Sequence, residues 1–186
     1  MTVALLLALA LAPVPVHAAF LVLTDAQKTE AVRAGERSVA REDFGAEWRV
    51  EDGEGARALV ITPFHRLAIA ARHAAFRGAP LKPGEPERVL REQRERLVVW
   101  VYVRGGREDF ARFYEPRLLV GDRVVKPSFV QNERTAVRQP DGSFLARCVY
   151  GFPTRDLTGT ARVGLVVEDA DGRDVTRFTI DLSTMR

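Results

Sequence analysis

Chemistry could start from two histidines, one cysteine and a run of aromatics mixed with charges. His65 and His73 stand eight residues apart in a segment with helical patterning. A rise of 1.5 Å per residue would put their backbones about 12 Å from each other. A helical metal pair needs a spacing of three or four. They are therefore expected to be ordinary, partly exposed histidines, and no metal or other cofactor is expected. Cys148 alternates with Phe144, Ala146 and Tyr150, which predicts a buried thiol on the inner face of a strand. An intermolecular disulfide, or a nucleophile paired with a histidine, are the alternatives. No serine sits in a G-x-S-x-G elbow, and no Gly-rich loop lies between a strand and a helix.

Two surface constellations could support binding. Arg107 to Glu115 interleaves Phe110, Phe113 and Tyr114 with acids and with Arg112, a mixture that suits protein recognition. The same aromatics could instead plug one open end of a β-sandwich. The segments Phe129 to Arg134 and Gly151 to Asp156 read as loops and offer Gln131, Asn132, Glu133, Arg134, Arg155 and Asp156 as polar groups. The candidate binding set is thus Phe110, Arg112, Phe113, Tyr114, Asn132, Arg134 and Arg155.

These residues belong to a chain of 186 residues, 46% hydrophobic and 28% charged, which can bury one good core. The 28 Lys and Arg stand against 25 Asp and Glu, a net charge of +3 spread along the whole length. All the basic residues but Lys28, Lys82 and Lys126 are Arg. A nucleic-acid binder would show a denser basic stripe, so nucleic acid is not expected as a partner.

At the start, Val3 to Ala12 is unbroken apolar sequence, followed by Pro13, Pro15 and the small-residue pattern Val16-His17-Ala18. This predicts an export signal over residues 1–18 cleaved before Ala19, with a retained anchor from Val3 to Leu23 as the alternative. No later run reaches the roughly 20 apolar residues of a membrane helix. The mature chain is expected to be periplasmic or extracellular, without stable membrane insertion.

Residues 19–96 read as a helical segment with a short hairpin. Thr24-Asp25-Ala26-Gln27 has capping-box spacing and opens a helix predicted from Asp25 to about Arg41, with Val32 and Val39 on its apolar face. Glu47 to Val50 and Arg57 to Ile61 flank the glycine-rich turn Asp52 to Gly55 and read as a hairpin. Thr62-Pro63 opens a second helix whose stripe is Phe64, Leu67, Ala68, Ala71 and Ala75, widened by Ile69 and Phe76. A third, charged helix is predicted over Glu87 to Arg96, with Glu87 paired to Arg91 and Glu92 to Arg96.

Over residues 97–186 the period falls to 2. Leu97 to Val103, apolar on both sides, should be an interior strand covered on both faces, and Gly121-Asp122, Gln139 to Gly142 and Asp169 to Gly172 mark three hairpin turns. The fold class expected is α+β: a C-terminal immunoglobulin-like antiparallel sandwich carrying an N-terminal helical layer, packed over Trp100 and Tyr102. On this reading the protein is an exported, non-enzymatic binding or assembly module with an envelope protein as partner. A carrier of a small apolar or anionic ligand between helices and sheet is the alternative, and a hydrolase of envelope polymers is a third.

Overall fold

A computed structural model describes residues 21–155 and 157–186. The export segment read over residues 1–18, and Asp156, lie outside the described residues. The fold is α+β, with three helices and two antiparallel sheets among the described residues.

Helix α1 (Asp25–Arg37) opens with the capping box that its sequence predicts: the Gln27 amide donates to Thr24 Oγ1 at 3.3 Å, and the Thr24 amide to Gln27 Oε1 at 2.8 Å. It stops a turn before Arg41. Ser38 donates both its amide and its Oγ to the Gly35 carbonyl, at 3.1 and 2.7 Å, so a local side-chain bond competes with continued helix. Its buried face is Ala31 and Gly35, and Val32 and Val39 are only half-buried. At Gly35 a Cβ would lie 2.2 Å from the Ala68 carbonyl oxygen and 2.9 Å from Ala71 Cβ. The absent side chain lets α1 lie directly on α2 (Pro63–Phe76).

Helix α2 is capped by Thr62, whose Oγ1 accepts from the His65 amide at 3.1 Å, with Pro63 in the first turn. It buries Phe64, His65, Leu67, Ala68, Ala71 and Ala74. The expected stripe is off by one residue at its end, and Phe76 is 78% exposed. At 3.6 residues per turn Phe76 stands about 140° round from Ala71, clear of the packed side. Helix α3 (Glu85–Arg91) is shorter than expected and buries nothing completely. Beyond it the chain turns through Glu95, at φ 61, into the first long strand. The predicted pairs within this helix give way to Arg88 with Glu85, Lys28 with Glu87, and Arg66 with Glu92 at 2.8 Å.

Strands β1 (Arg49–Glu51) and β2 (Arg57–Ile61) form the expected hairpin, and β2 also pairs antiparallel with β3 (Arg96–Gly105). The hairpin thereby extends a sheet ordered β1-β2-β3-β8-β6, with β7 also on β8. The other strands of this sheet are β6 (Phe129–Gln131), β7 (Val137–Arg138) and β8 (Phe144–Pro153). The second sheet is ordered β10-β9-β4-β5, from β4 (Glu115–Val120), β5 (Arg123–Val125), β9 (Arg162–Glu168) and β10 (Asp174–Asp181). All three predicted hairpin turns are present. Phe129 to Gln131, read as loop, is a short edge strand on β8, and Gly151 to Pro153 are the end of β8 itself.

The inner face of the first sheet carries Ala58, Val60, Leu97, Val99, Val101, Cys148, Tyr150 and Phe152, all fully buried. They share one apolar cluster with Leu118, Leu165, Phe178 and Ile180 of the second sheet and with Trp48, Phe64 and Leu67 from the helical layer. Strand β3 is covered on this face alone. Trp100 and Tyr102 point to the other side and are half-buried, with Arg147 lying 5.3 Å over the Trp100 ring and Arg57 lying 5.8 Å over Tyr102. The helical layer, expected there, instead meets the sheets chiefly along β2. The packed apolar face of α2 is committed to that core through Phe64 and Leu67, beside Trp48.

Candidate functional site

The loop between β3 and β4 carries the chain from one sheet to the other, and its aromatics divide into two kinds. Phe110 folds back over the end of β3, where a Cβ on Gly105 would stand 2.4 Å from the ring. Tyr114 is buried and meets Phe110 edge-on at 6.0 Å. Burial pushes the Tyr114 phenol up to about 12. These two rings close the end of the space between the sheets. Phe113 does the opposite: it is 66% exposed, and the Arg112 guanidinium lies 5.4 Å over its ring.

Asn132 fixes this loop. Its Nδ2 donates to the Tyr114 carbonyl at 2.8 Å and its Oδ1 accepts from the buried Tyr150 hydroxyl at 3.1 Å. The Ala136 amide adds a bond to the Glu108 carbonyl at 2.8 Å. The sequence offered Asn132 as a surface ligand group, whereas here both ends of its amide are used internally. Arg134 follows two residues on and is exposed. Arg155 is not part of the group. It follows Thr154, whose amide donates to Glu95 beside the start of β3, while the aromatic loop leaves the far end of that ten-residue strand. At 3.3 Å per residue the two ends are about 30 Å apart.

A second constellation escaped the sequence reading. His65, expected to be partly exposed, is 1% exposed and stacked on the Trp48 indole, with ring centroids 4.0 Å apart and planes 4° from parallel. Its Nδ1 lies 3.0 Å from the Val60 carbonyl, which can only accept, so Nδ1 carries the hydrogen of the neutral ring. Burial holds its pKa down at about 4. On the other side of the cluster the Thr62 hydroxyl donates to the Arg186 carbonyl, and Trp48 Nε1 donates to the same oxygen at 2.8 Å. The Arg186 guanidinium is ion-paired with Glu47 at 2.8 Å and lies 4.9 Å over the Phe64 ring. The Trp48 neighbourhood opens onto a surface cavity of about 530 Å³ lined also by Phe44, Arg37 and Arg41. The lining arginines are paired with acids, Arg37 with Glu30, Arg41 with Asp43 and Arg186 with Glu47, so its charge is internally balanced. The only sequence trace of this cluster was an i to i+1 pair, Phe64-His65, just after a helix cap.

Cys148 is fully buried on the inner face of β8, as its alternation predicts, and burial raises its thiol pKa. Among the described residues no three His, Cys, Asp or Glu come together as metal ligands, and no helix is long and apolar enough to cross a membrane.

No family model matches the chain, and no curated protein matches it. A solved structure from Burkholderia pseudomallei, described as a novel protein of unknown function, aligns with 88% of this chain and 92% of its own at 11% identity, with a TM-score of 0.45.

Proposed function

We propose that the protein is an exported, non-enzymatic binding or assembly module of the cell envelope, an immunoglobulin-like β-sandwich that recognises an envelope protein through its β3–β4 loop. The observation that carries this reading is Phe113, a large apolar ring held in solvent by a loop whose neighbours Phe110 and Tyr114 are anchored. Exposing such a ring has a solvation cost, and anchoring it beforehand lowers the entropy lost when a partner covers it. Arg112 stacked on the ring adds a charged edge, and aromatic and Arg residues are the types enriched at interface hot spots. Export is supported by the apolar run Val3 to Ala12 and the small-residue pattern that ends at Ala18.

The test is crosslinking capture from envelope extract with the chain from Ala19 onward, in parallel with Phe113→Ser and Arg112→Ala. A stoichiometric partner that survives high salt and is lost with Phe113→Ser supports the reading. Capture of nothing, or of a partner indifferent to both substitutions, overturns it.

A further inference from the structure

The outer face of the first sheet sets arginines and apolar side chains in adjacent rows. Register places Arg49, Leu59, Trp100, Val149 and Gln131 side by side across five strands, and Glu51, Arg57, Tyr102 and Arg147 in the next row. Beyond them, Arg96 and Phe129 pack over Gly151, whose missing Cβ would stand 3.2 Å from Phe129 Cβ and 3.5 Å from Arg96 Cδ. Among the strand residues of this face, Glu51 is the one acid against Arg49, Arg57, Arg96, Arg104 and Arg147. Arg104 is tied to Asp141 at 3.2 Å, while the other four make no ion pair with a described residue. On the second sheet the outward Arg117 and Arg177 are neutralised by Glu168 and Asp174, and Arg162 makes no ion pair with a described residue.

We infer that this face is a docking surface for an acidic polypeptide segment that carries apolar side chains between its carboxylates. Charge complementarity selects an anionic occupant, since unpaired guanidiniums are fixed there over a rigid sheet. Cation–π contact with Tyr102 and Trp100 positions Arg57 and Arg147, whose N–H groups make no ion pair with a described residue and suit the two-pronged recognition of a carboxylate. The same guanidiniums lie over the Trp100 and Tyr102 rings, so a nucleobase or sugar ring would have to displace them to stack there. The apolar row Leu59, Trp100, Val149 lies beside the cationic row, about 7 Å away along the strands, and an amphipathic polypeptide supplies both kinds of group at that spacing. This surface lies on the sheet face and not on the β3–β4 loop, so it extends the binding-module reading to a second site.

The probe is a fluorescent, glutamate-rich random copolymer of Glu and Tyr, followed by anisotropy with the chain from Ala19 onward. The double variant R57Q/R147Q removes two charges from the face, and R123Q/R177Q removes two from the second sheet. Each charge-assisted bidentate contact is strong enough that R57Q/R147Q should weaken binding at least about tenfold, with R123Q/R177Q close to wild type. Melting curves check that both variants fold. Absence of copolymer binding, or equal weakening by both double variants, overturns the inference. So does heparin or oligo-dT displacing the copolymer at equal concentration of charge, which would make the face a general polyanion site. Loss of copolymer binding with Phe113-dependent capture intact would remove this surface and leave the loop reading standing.

Discussion

His65 is neutral in the fold because protonation would place a charge in an aromatic stack with its one polar contact already used. Its pKa of about 4 lies below the usual histidine value of 6.5. Between these values the unfolded chain binds a proton that the folded chain does not, so stability rises with pH across the window and is lost as pH falls through it. The gap corresponds to on the order of 3 kcal/mol. Chemical denaturation at pH 7, 5.5 and 4.5 should show this loss, and His65→Phe, which keeps a ring against Trp48, should flatten the slope. A slope unchanged in the variant would assign the pH effect elsewhere. Asn132 invites a second substitution. Asn132→Leu removes the amide partner of the buried Tyr150 hydroxyl and of the Tyr114 carbonyl and should destabilise by about 2 kcal/mol. An unshifted urea midpoint would show that water replaces the amide.

Among the elements, the helical layer owes its geometry to one glycine. A methyl group at Gly35 would meet the Ala68 carbonyl at 2.2 Å, a backbone atom that cannot swing aside. Gly35→Ala should therefore cost about 2 kcal/mol or more although alanine favours helix, because α1 must lift from α2. A variant as stable as the parent would mean that the helices separate freely. Gly105 plays the matching part for the loop that presents Phe113. Gly105→Ala forces the Phe110 ring off the end of β3 and should weaken Phe113-dependent capture, and Gly105→Ala combined with Phe110→Ala should recover melting temperature but not capture. Recovery of both would show that Phe110 does not brace the site.

For the whole molecule, β2 is hydrogen-bonded into the first sheet, and Trp48, Phe64 and Leu67 belong to the same core as Leu165 and Phe178. The Arg186 carbonyl, following the last strand, accepts from Trp48 and Thr62, tying the end of the sequence to the helical layer. Residues on either side of position 97 thus stabilise each other. Unfolding followed by tryptophan fluorescence and by far-ultraviolet circular dichroism should give one coincident transition. Two separated transitions would mean that the helical layer melts alone.

Most of the elements were legible locally: both helix caps, the hairpin turns, the alternation of β8 and the burial of Cys148 all rest on signals within a few residues, where capping, turn chemistry and periodicity act, whereas β3, read as covered on both faces, is covered on one. Where α1 and α3 end, and which way Val39 and Phe76 face, is misread from the sequence, because a Ser38 back-bond and a helix-helix contact through Gly35 override local pattern. Of the candidate site, Phe113 and Arg112 were legible as an aromatic and charged mixture, but the sequence did not separate them from Phe110, Tyr114 and Asn132, which are used internally, or from Arg155 at the other end of the sheet. Those roles were set by tertiary contacts, as were the stacking of His65 on Trp48 and the four arginines on one sheet face that make no ion pair with a described residue. Each depends on which residues far apart in the chain become neighbours, and strand register and shared burial set that, not spacing along the sequence.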